Sequence, residues 1–124
     1  MKPFNSVCIV SQDVARLRDF YQAVLQQEPQ GDTIFAWFAS PRADLALYSL
    51  ANTEQMAPGC MTGAGYGGVV LEFGVEDVDA EYERLIQLNV PIVKPPTTQS
   101  WGIRSVWFRD PDGNLINFNA PAAV

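Results

Sequence analysis

The spacing of apolar residues predicts two amphipathic helices. From Asp13 to about Gln26, apolar side chains recur every three or four residues and form one broad face. A second segment with this spacing runs from Asp77 to about Asn89, and Pro91 closes it. Asp13 stands directly before the first apolar residue of its helix, so we expect it to act as the N-cap.

Short apolar runs bounded by turn residues predict six strands. They are Phe4 to Val10, Thr33 to Ala39, Asp44 to Leu50, Val69 to Val75, Ile103 to Phe108 and Asn114 to Asn119. The sequence Asp110-Pro111-Asp112-Gly113 predicts a tight turn between the last two strands. Pro91 to Lys94 is a candidate for a further strand, and Pro95-Pro96 is expected to interrupt it.

The chain also contains an internal repeat. Asp13-Val14 recurs as Asp77-Val78, and Trp37-Phe38 recurs as Trp107-Phe108, in matching order and with matching predicted elements. We therefore expect a single domain, 1–124, built from module one at about 1–50 and module two at about 68–124. The intervening connector, 51–67, is rich in glycine and is a candidate for a lid or a swap hinge.

Composition narrows the chemistry. The 124 residues include no histidine, so a His-based triad or zinc site is excluded, and Cys8 and Cys60 lie outside any C-x-x-C pattern. The formal net charge of -6 argues against nucleic acid as a partner and favours cationic ligands. No apolar run approaches the roughly 18 residues of a membrane span, and no signal peptide is recognisable, so we expect a cytoplasmic protein.

Two stretches resemble a known superfamily. The strand Val7 to Val10, with Asp13-Val14 and Phe20-Tyr21 after it, is similar to the first strand and helix of the vicinal oxygen chelate superfamily. The segment Phe108 to Ile116 matches its closing hairpin almost letter for letter. This superfamily includes glyoxalase I, extradiol dioxygenases, and fosfomycin and bleomycin resistance proteins.

The resemblance implies an α+β fold. Two βαβββ modules would form a cup-shaped mixed sheet, with the helices on its convex face. It also implies a homodimer in which modules pair across the subunit boundary, so that both chains line the ligand cleft.

Metal-using members of the superfamily hold a divalent ion with four side chains, typically His and Glu. The family's spacing, counted along this chain and applied to both modules, places these positions at Ser6, Leu47, Val70 and Asn117. A hydroxyl, an amide and two hydrocarbons supply neither charge nor a soft donor. We therefore expect no metal and no other cofactor, as in the bleomycin resistance group, which binds its drug without altering it.

Strand alternation predicts which residues face the cup. If Ser6 and Val70 face inward, so do Cys8, Glu72 and Gly74, and in the last strand Asn117 and Asn119. Glu72 then has three interpretations: a counter-ion for a cationic ligand, a general base, or a structural residue that pairs with Arg104 or lies exposed at the rim.

The predicted ligand site combines aromatic and polar residues. The bleomycin-binding relatives place an acidic residue and aromatics in a stretch that maps onto Asp32, Phe35, Trp37 and Phe38, and flat surfaces suit aromatic or cationic groups. For Trp37 and Trp107, core packing is an equal alternative. The full predicted set is Asp32, Phe35, Trp37, Phe38, Glu72, Trp101, Arg104, Trp107 and Asn117.

These observations predict a metal-free, homodimeric protein that sequesters a cationic or aromatic small molecule, such as a bleomycin-like antibiotic. One alternative is a metal-independent lyase or isomerase with Glu72 as its general base. Another is an inert dimer that serves as an interaction module, which an exposed Glu72 and a cup filled with side chains would favour.

Overall fold

The computed structural model describes residues 2–64 and 68–122. The chain divides into two compact units, unit 1 at residues 1–64 and unit 2 at residues 65–124. Each unit contains one four-stranded mixed sheet. Across the described residues there are eight strands and three helices, which confirms the predicted α+β class.

Unit 1 contains, in chain order, β1 (Ser6–Ser11), α1 (Val14–Leu25), β2 (Gln30–Gly31), β3 (Phe35–Phe38), β4 (Asp44–Ser49) and α2 (Leu50–Met56). Its sheet has the order β1-β4-β3-β2. β1 runs parallel to β4, and the other neighbours are antiparallel.

Unit 2 repeats this arrangement with β5 (Val70–Gly74), α3 (Val78–Gln87), β6 (Ile92–Thr98), β7 (Ile103–Arg109) and β8 (Leu115–Pro121). Its order, β5-β8-β7-β6, places each strand where its counterpart lies in unit 1. The parallel pair is β5 and β8. The repeat recognised in the sequence is therefore a repeat of topology.

An aspartate caps the long helix of each unit. The Asp13 side chain accepts a hydrogen bond from the Arg16 amide at 3.0 Å, and Asp77 does the same for the Ala80 amide at 3.1 Å. Each bond satisfies an amide that has no partner within the helix. The predicted cap at Asp13 is confirmed.

The core of each unit lies between its sheet and its helix. In unit 1, Tyr21 of α1 packs against Phe38 of β3 with ring centroids 6.3 Å apart. In unit 2, Phe108 and Phe118 meet edge to face at 4.9 Å, and Leu85 of α3 is fully buried. These side chains cover one face of each sheet. Burying each of them stabilises the folded state by about 1.5–3 kcal/mol.

Two local features add detail to the predictions. β6 continues through Pro95 and Pro96 to Thr98 because it is an edge strand, but its pairing with β7 shifts register between Lys94 and Thr97, so the prolines interrupt the pairing and not the strand. The connector begins with a helix, α2, which Ser49 caps by accepting a hydrogen bond from the Asn52 amide at 3.3 Å.

The turns after α2 are also held by a side chain. Both oxygens of the Glu54 carboxylate accept backbone amides, from Gly59 at 2.7 Å and from Met61 at 3.1 Å. The remaining connector residues, 65–67, lie outside the described residues, so the lid or swap hinge stays a prediction. None of the described helices is long and apolar enough to cross a membrane.

Candidate functional site

Each sheet packs one face against the long helix of its unit, α1 or α3. We call the opposite face of the sheet the open face. On β1 the side chains of Ser6 and Cys8 are exposed there, whereas Val7 and Ile9 are partly buried on the helix side. The register continues the open face across the sheet, because Ser6 pairs with Asp44 and Cys8 pairs with Ala46. This alternation along β1 is the predicted one.

The open face of unit 1 carries an aromatic cluster, formed by Phe35, Trp37 and Tyr48. Phe35 pairs with Tyr48 across β3 and β4, and their rings meet edge to face at 5.4 Å. The Phe35 and Trp37 rings lie 5.7 Å apart and are tilted by 41°. The Tyr48 hydroxyl donates to the Met56 sulfur at 2.9 Å, so α2 borders the cluster.

A cavity of about 190 Å³ lies beside this cluster, lined by Ser6, Phe35, Trp37, Asp44 and Ala46. Its acidic group is Asp44, the first residue of β4. The carboxylate accepts a hydrogen bond from the Ser40 amide at 3.0 Å, which orients it. The predicted set did not include Asp44. Its position opposite Ser6 follows only from the β1 to β4 register.

The open face of unit 2 carries a polar network, formed by Glu72, Asn117 and Asn119. Asn119 donates from its side-chain amide to the Asn117 oxygen at 2.8 Å, and Asn117 donates to Glu72 at 3.1 Å. Asn117 is 3% exposed, whereas Glu72 is open to solvent. Trp107 pairs with Asn117 across the sheet, and its indole donates to the Ser105 hydroxyl at 3.1 Å.

Comparison with known proteins identifies the family. The model for the Glyoxalase/Bleomycin resistance protein/Dioxygenase superfamily matches residues 4–118. The chain belongs to this superfamily. Members of this superfamily bind small-molecule ligands.

Solved structures share the fold of this chain, and one curated protein is similar to part of it. A superfamily enzyme from Burkholderia phytofirmans PsJN has a TM-score of 0.84 at 18% identity, covering 95% of this chain and 98% of that one. A protein of unknown function from Agrobacterium tumefaciens C58 has a TM-score of 0.80 at 25% identity, covering 100% and 96%. Uncharacterized protein YraH of Bacillus subtilis is 40% identical over 57 residues, which span 45% of this chain and 44% of YraH.

Arg104 does not pair with Glu72. Its guanidinium makes two hydrogen bonds to the Asp79 carboxylate of α3, at 2.9 and 2.8 Å, on the helix side of the sheet. These bonds hold the pKa of Asp79 below its ordinary value of 3.8. Glu72 is exposed and takes its hydrogen bond from Asn117, so we leave Arg104 out of the proposed site.

Phe38 also lies away from the open face. It is 2% exposed and packs against Tyr21 in the core. Phe35, three residues earlier, points to the other face because side chains alternate along a strand. Strand parity alone left this choice open, and the position of α1 settles it.

The two remaining predicted residues lie in turns. The Asp32 carboxylate accepts the amides of Phe35 at 3.0 Å and Ile34 at 2.8 Å, and these bonds hold its pKa below the ordinary value. Asp32 therefore shapes the turn between β2 and β3. Trp101 lies in the turn between β6 and β7 and is 72% exposed.

The strand register shows that one of the four positions predicted for metal ligands, Leu47, is wrong. Asn117 pairs with Glu72 and Trp107, and the residue with the matching partners in unit 1, Cys8 and Trp37, is Ala46. Leu47 is instead fully buried on the helix side. A one-residue shift in β4 accounts for the error.

The corrected positions do not fit a metal ion. They are Ser6, Ala46, Val70 and Asn117. Asn117 supplies the only amide oxygen, and Asn119 already donates to it. Within residues 2–64 and 68–122, no cluster of three or more His, Cys, Asp or Glu side chains is arranged to hold a metal.

Proposed function

We propose that this chain is a small-molecule binding protein that sequesters a cationic or aromatic compound, such as a bleomycin-like antibiotic, without a metal ion. The observation that carries the proposal is the aromatic cluster of unit 1, which adjoins a cavity containing the Asp44 carboxylate. Aromatic rings stack on flat ligands and attract cations through their π faces. A carboxylate at the same cavity adds a full negative charge.

The open face of unit 2 supports the same class of ligand. Glu72 is exposed, and one oxygen of its carboxylate accepts a hydrogen bond from the Asn117 side-chain amide at 3.1 Å. Trp107 and Asn117 share that face. The proposed binding residues are Phe35, Trp37, Glu72, Trp107 and Asn117, and Asp32 and Trp101 are proposed to act from their turns.

The proposed assembly is a homodimer. Phe35 and Val70 lie on open faces and remain 38% and 40% exposed in the single chain. Contact with a second copy would remove this apolar surface from water, at about 25 cal/mol per Å². Light scattering coupled to gel filtration tests this, and a single-chain mass at micromolar concentration would contradict it. The proposed location is the cytoplasm, since both cysteines are free thiols.

A fluorescence titration tests the sequestration proposal. EDTA-treated protein is titrated with bleomycin and a panel of cationic aromatic antibiotics while tryptophan emission is recorded. We expect saturable quenching at one ligand per chain, and most of the change should be lost in Trp37→Phe. Mass spectrometry of the recovered ligand should show it unchanged. Binding that requires an added divalent metal, or a chemically converted ligand, would contradict the proposal.

The second candidate function is a metal-independent lyase or isomerase with Glu72 as general base. The observation in its favour is that Asn117 holds the Glu72 carboxylate in one orientation on an accessible face. Glu72→Gln separates the two functions, because glutamine keeps the acceptor oxygen but cannot take up a proton at neutral pH. An enzyme would lose turnover completely, whereas a binding protein would lose only affinity for cationic ligands.

A further inference from the structure

We propose that the cavity of unit 1 is a subsite for an alkylated ammonium group, with Asp44 as its counter-ion and Phe35 and Trp37 as its aromatic walls. This inference rests on the proposed function, because it names the charged group of the sequestered compound. It also assigns the counter-ion role, which is one of three interpretations of Glu72 from the sequence, to Asp44.

The geometry of the cavity brings the three side chains together. Asp44 begins β4, and Trp37 pairs with Ala46 two residues further along that strand. Phe35 stands next to Trp37 on the same face, with its ring centroid 5.7 Å away and its plane tilted by 41°. All three side chains line the same space of about 190 Å³.

The charge on Asp44 is not neutralised within the described part of the chain. No lysine or arginine there forms an ion pair with it, and its carboxylate accepts one hydrogen bond, from the neutral Ser40 amide. Asp79, in contrast, is paired with Arg104. An organic cation that enters the cavity would therefore meet an anion with no competing partner.

The remaining lining favours ammonium over other cations. A guanidinium pairs best with two free carboxylate oxygens side by side, but one oxygen of Asp44 already accepts the Ser40 amide. A metal ion needs several oxygen donors, and among the residues that line this cavity only Ser6 carries a side-chain oxygen besides Asp44. A methylated ammonium needs few hydrogen bonds, and aromatic faces attract it.

The test uses two probes of the same shape, choline and its uncharged analogue 3,3-dimethylbutan-1-ol, titrated into metal-free protein and followed by NMR. We expect choline to bind at least about tenfold more tightly than the uncharged analogue, the scale of a cation–π and charge contribution. Asp44→Asn should bring the affinity for choline down to that of the analogue. Asparagine can still accept the Ser40 amide, so the thermal midpoint should change little.

Asp19→Asn is the matched control. It makes the same change of charge at an exposed position on α1, with a side chain 72% exposed, and should leave choline binding unaltered. Equal affinity for choline and the uncharged analogue would overturn the proposal. Unaltered binding in Asp44→Asn, tighter binding of ethylguanidinium than of choline, or no choline binding would do the same.

Failure of this inference is distinguishable from failure of the proposed function. If the antibiotics bind but choline does not compete and Asp44→Asn has no effect, sequestration stands and the ammonium subsite is wrong. If choline binds through Asp44 but no antibiotic binds without metal, the subsite stands and sequestration of such antibiotics is wrong.

Discussion

The side-chain amide of Asn117 donates a hydrogen bond to the Glu72 carboxylate, at 3.1 Å, between the parallel strands β5 and β8. Asn119 donates in turn to the Asn117 oxygen at 2.8 Å. The direction of both bonds is fixed, because a carboxylate can only accept. An amide therefore occupies this position, which is one of the four that the resemblance implies for metal ligands.

Asn117→Asp should destabilise the protein at pH 7. The new carboxylate cannot donate to Glu72 and would face it as a like charge, at a site where the native side chain is 3% exposed. We expect a loss of about 1–3 kcal/mol in the free energy of unfolding, measured by urea denaturation.

The double variant Glu72→Gln/Asn117→Asp is the control for this prediction. Glutamine at 72 can donate to the new carboxylate, so the double variant should recover most of the lost stability. If the double variant is no more stable than Asn117→Asp, repulsion across β5 and β8 is not the cause.

Phe38→Ala and Phe35→Ala should differ sharply, because the two side chains lie on opposite faces of β3. Phe38 is 2% exposed in the core, so its truncation should cost about 3–5 kcal/mol of unfolding free energy. Phe35 is 38% exposed, and its truncation should cost much less while weakening binding of flat ligands. Denaturant midpoints and the fluorescence titration measure the two effects. Equal losses of stability would contradict the assignment of the faces.

Cys8 offers a chemical probe of the cavity. It lies on the open face and pairs with Ala46, whose side chain lines the cavity. Neighbouring atoms partly desolvate the thiol, although the residue as a whole is exposed, and this raises the pKa of Cys8 above its ordinary value of 9.0. Because only the thiolate reacts, Cys8 should react with iodoacetamide more slowly at pH 8 than an unhindered thiol does.

The experiment uses Cys60→Ser, which leaves Cys8 as the single thiol, since the chain has two cysteines. The same variant unfolded in urea gives the reference rate. The folded protein should label more slowly at pH 8, and a saturating ligand should slow it further. Faster labelling in the folded protein would contradict the raised pKa of Cys8, and labelling unaffected by a bound ligand would place the ligand away from Cys8.

Much of the fold follows from features close together in the sequence. Asp13 caps α1 because its side chain reaches an amide three residues away, and helical periodicity marks α1 and α3 for the same local reason. Alternation along β1 and β5 correctly separates the two faces of those strands. Local geometry repeats at a fixed period, so no knowledge of distant residues is needed.

The site depends on pairing between residues that lie far apart in the sequence. No local period in the sequence marks such pairs. Asp44 joins Ser6 through strand register, Arg104 reaches Asp79 across 25 residues, and Leu47 points to the core where Ala46 holds the expected position. A shift of one residue in register moves a side chain to the opposite face of the sheet. Periodicity thus accounts for the helices and the alternation of the strands, whereas only the packed sheets show which polar and aromatic side chains share a cavity.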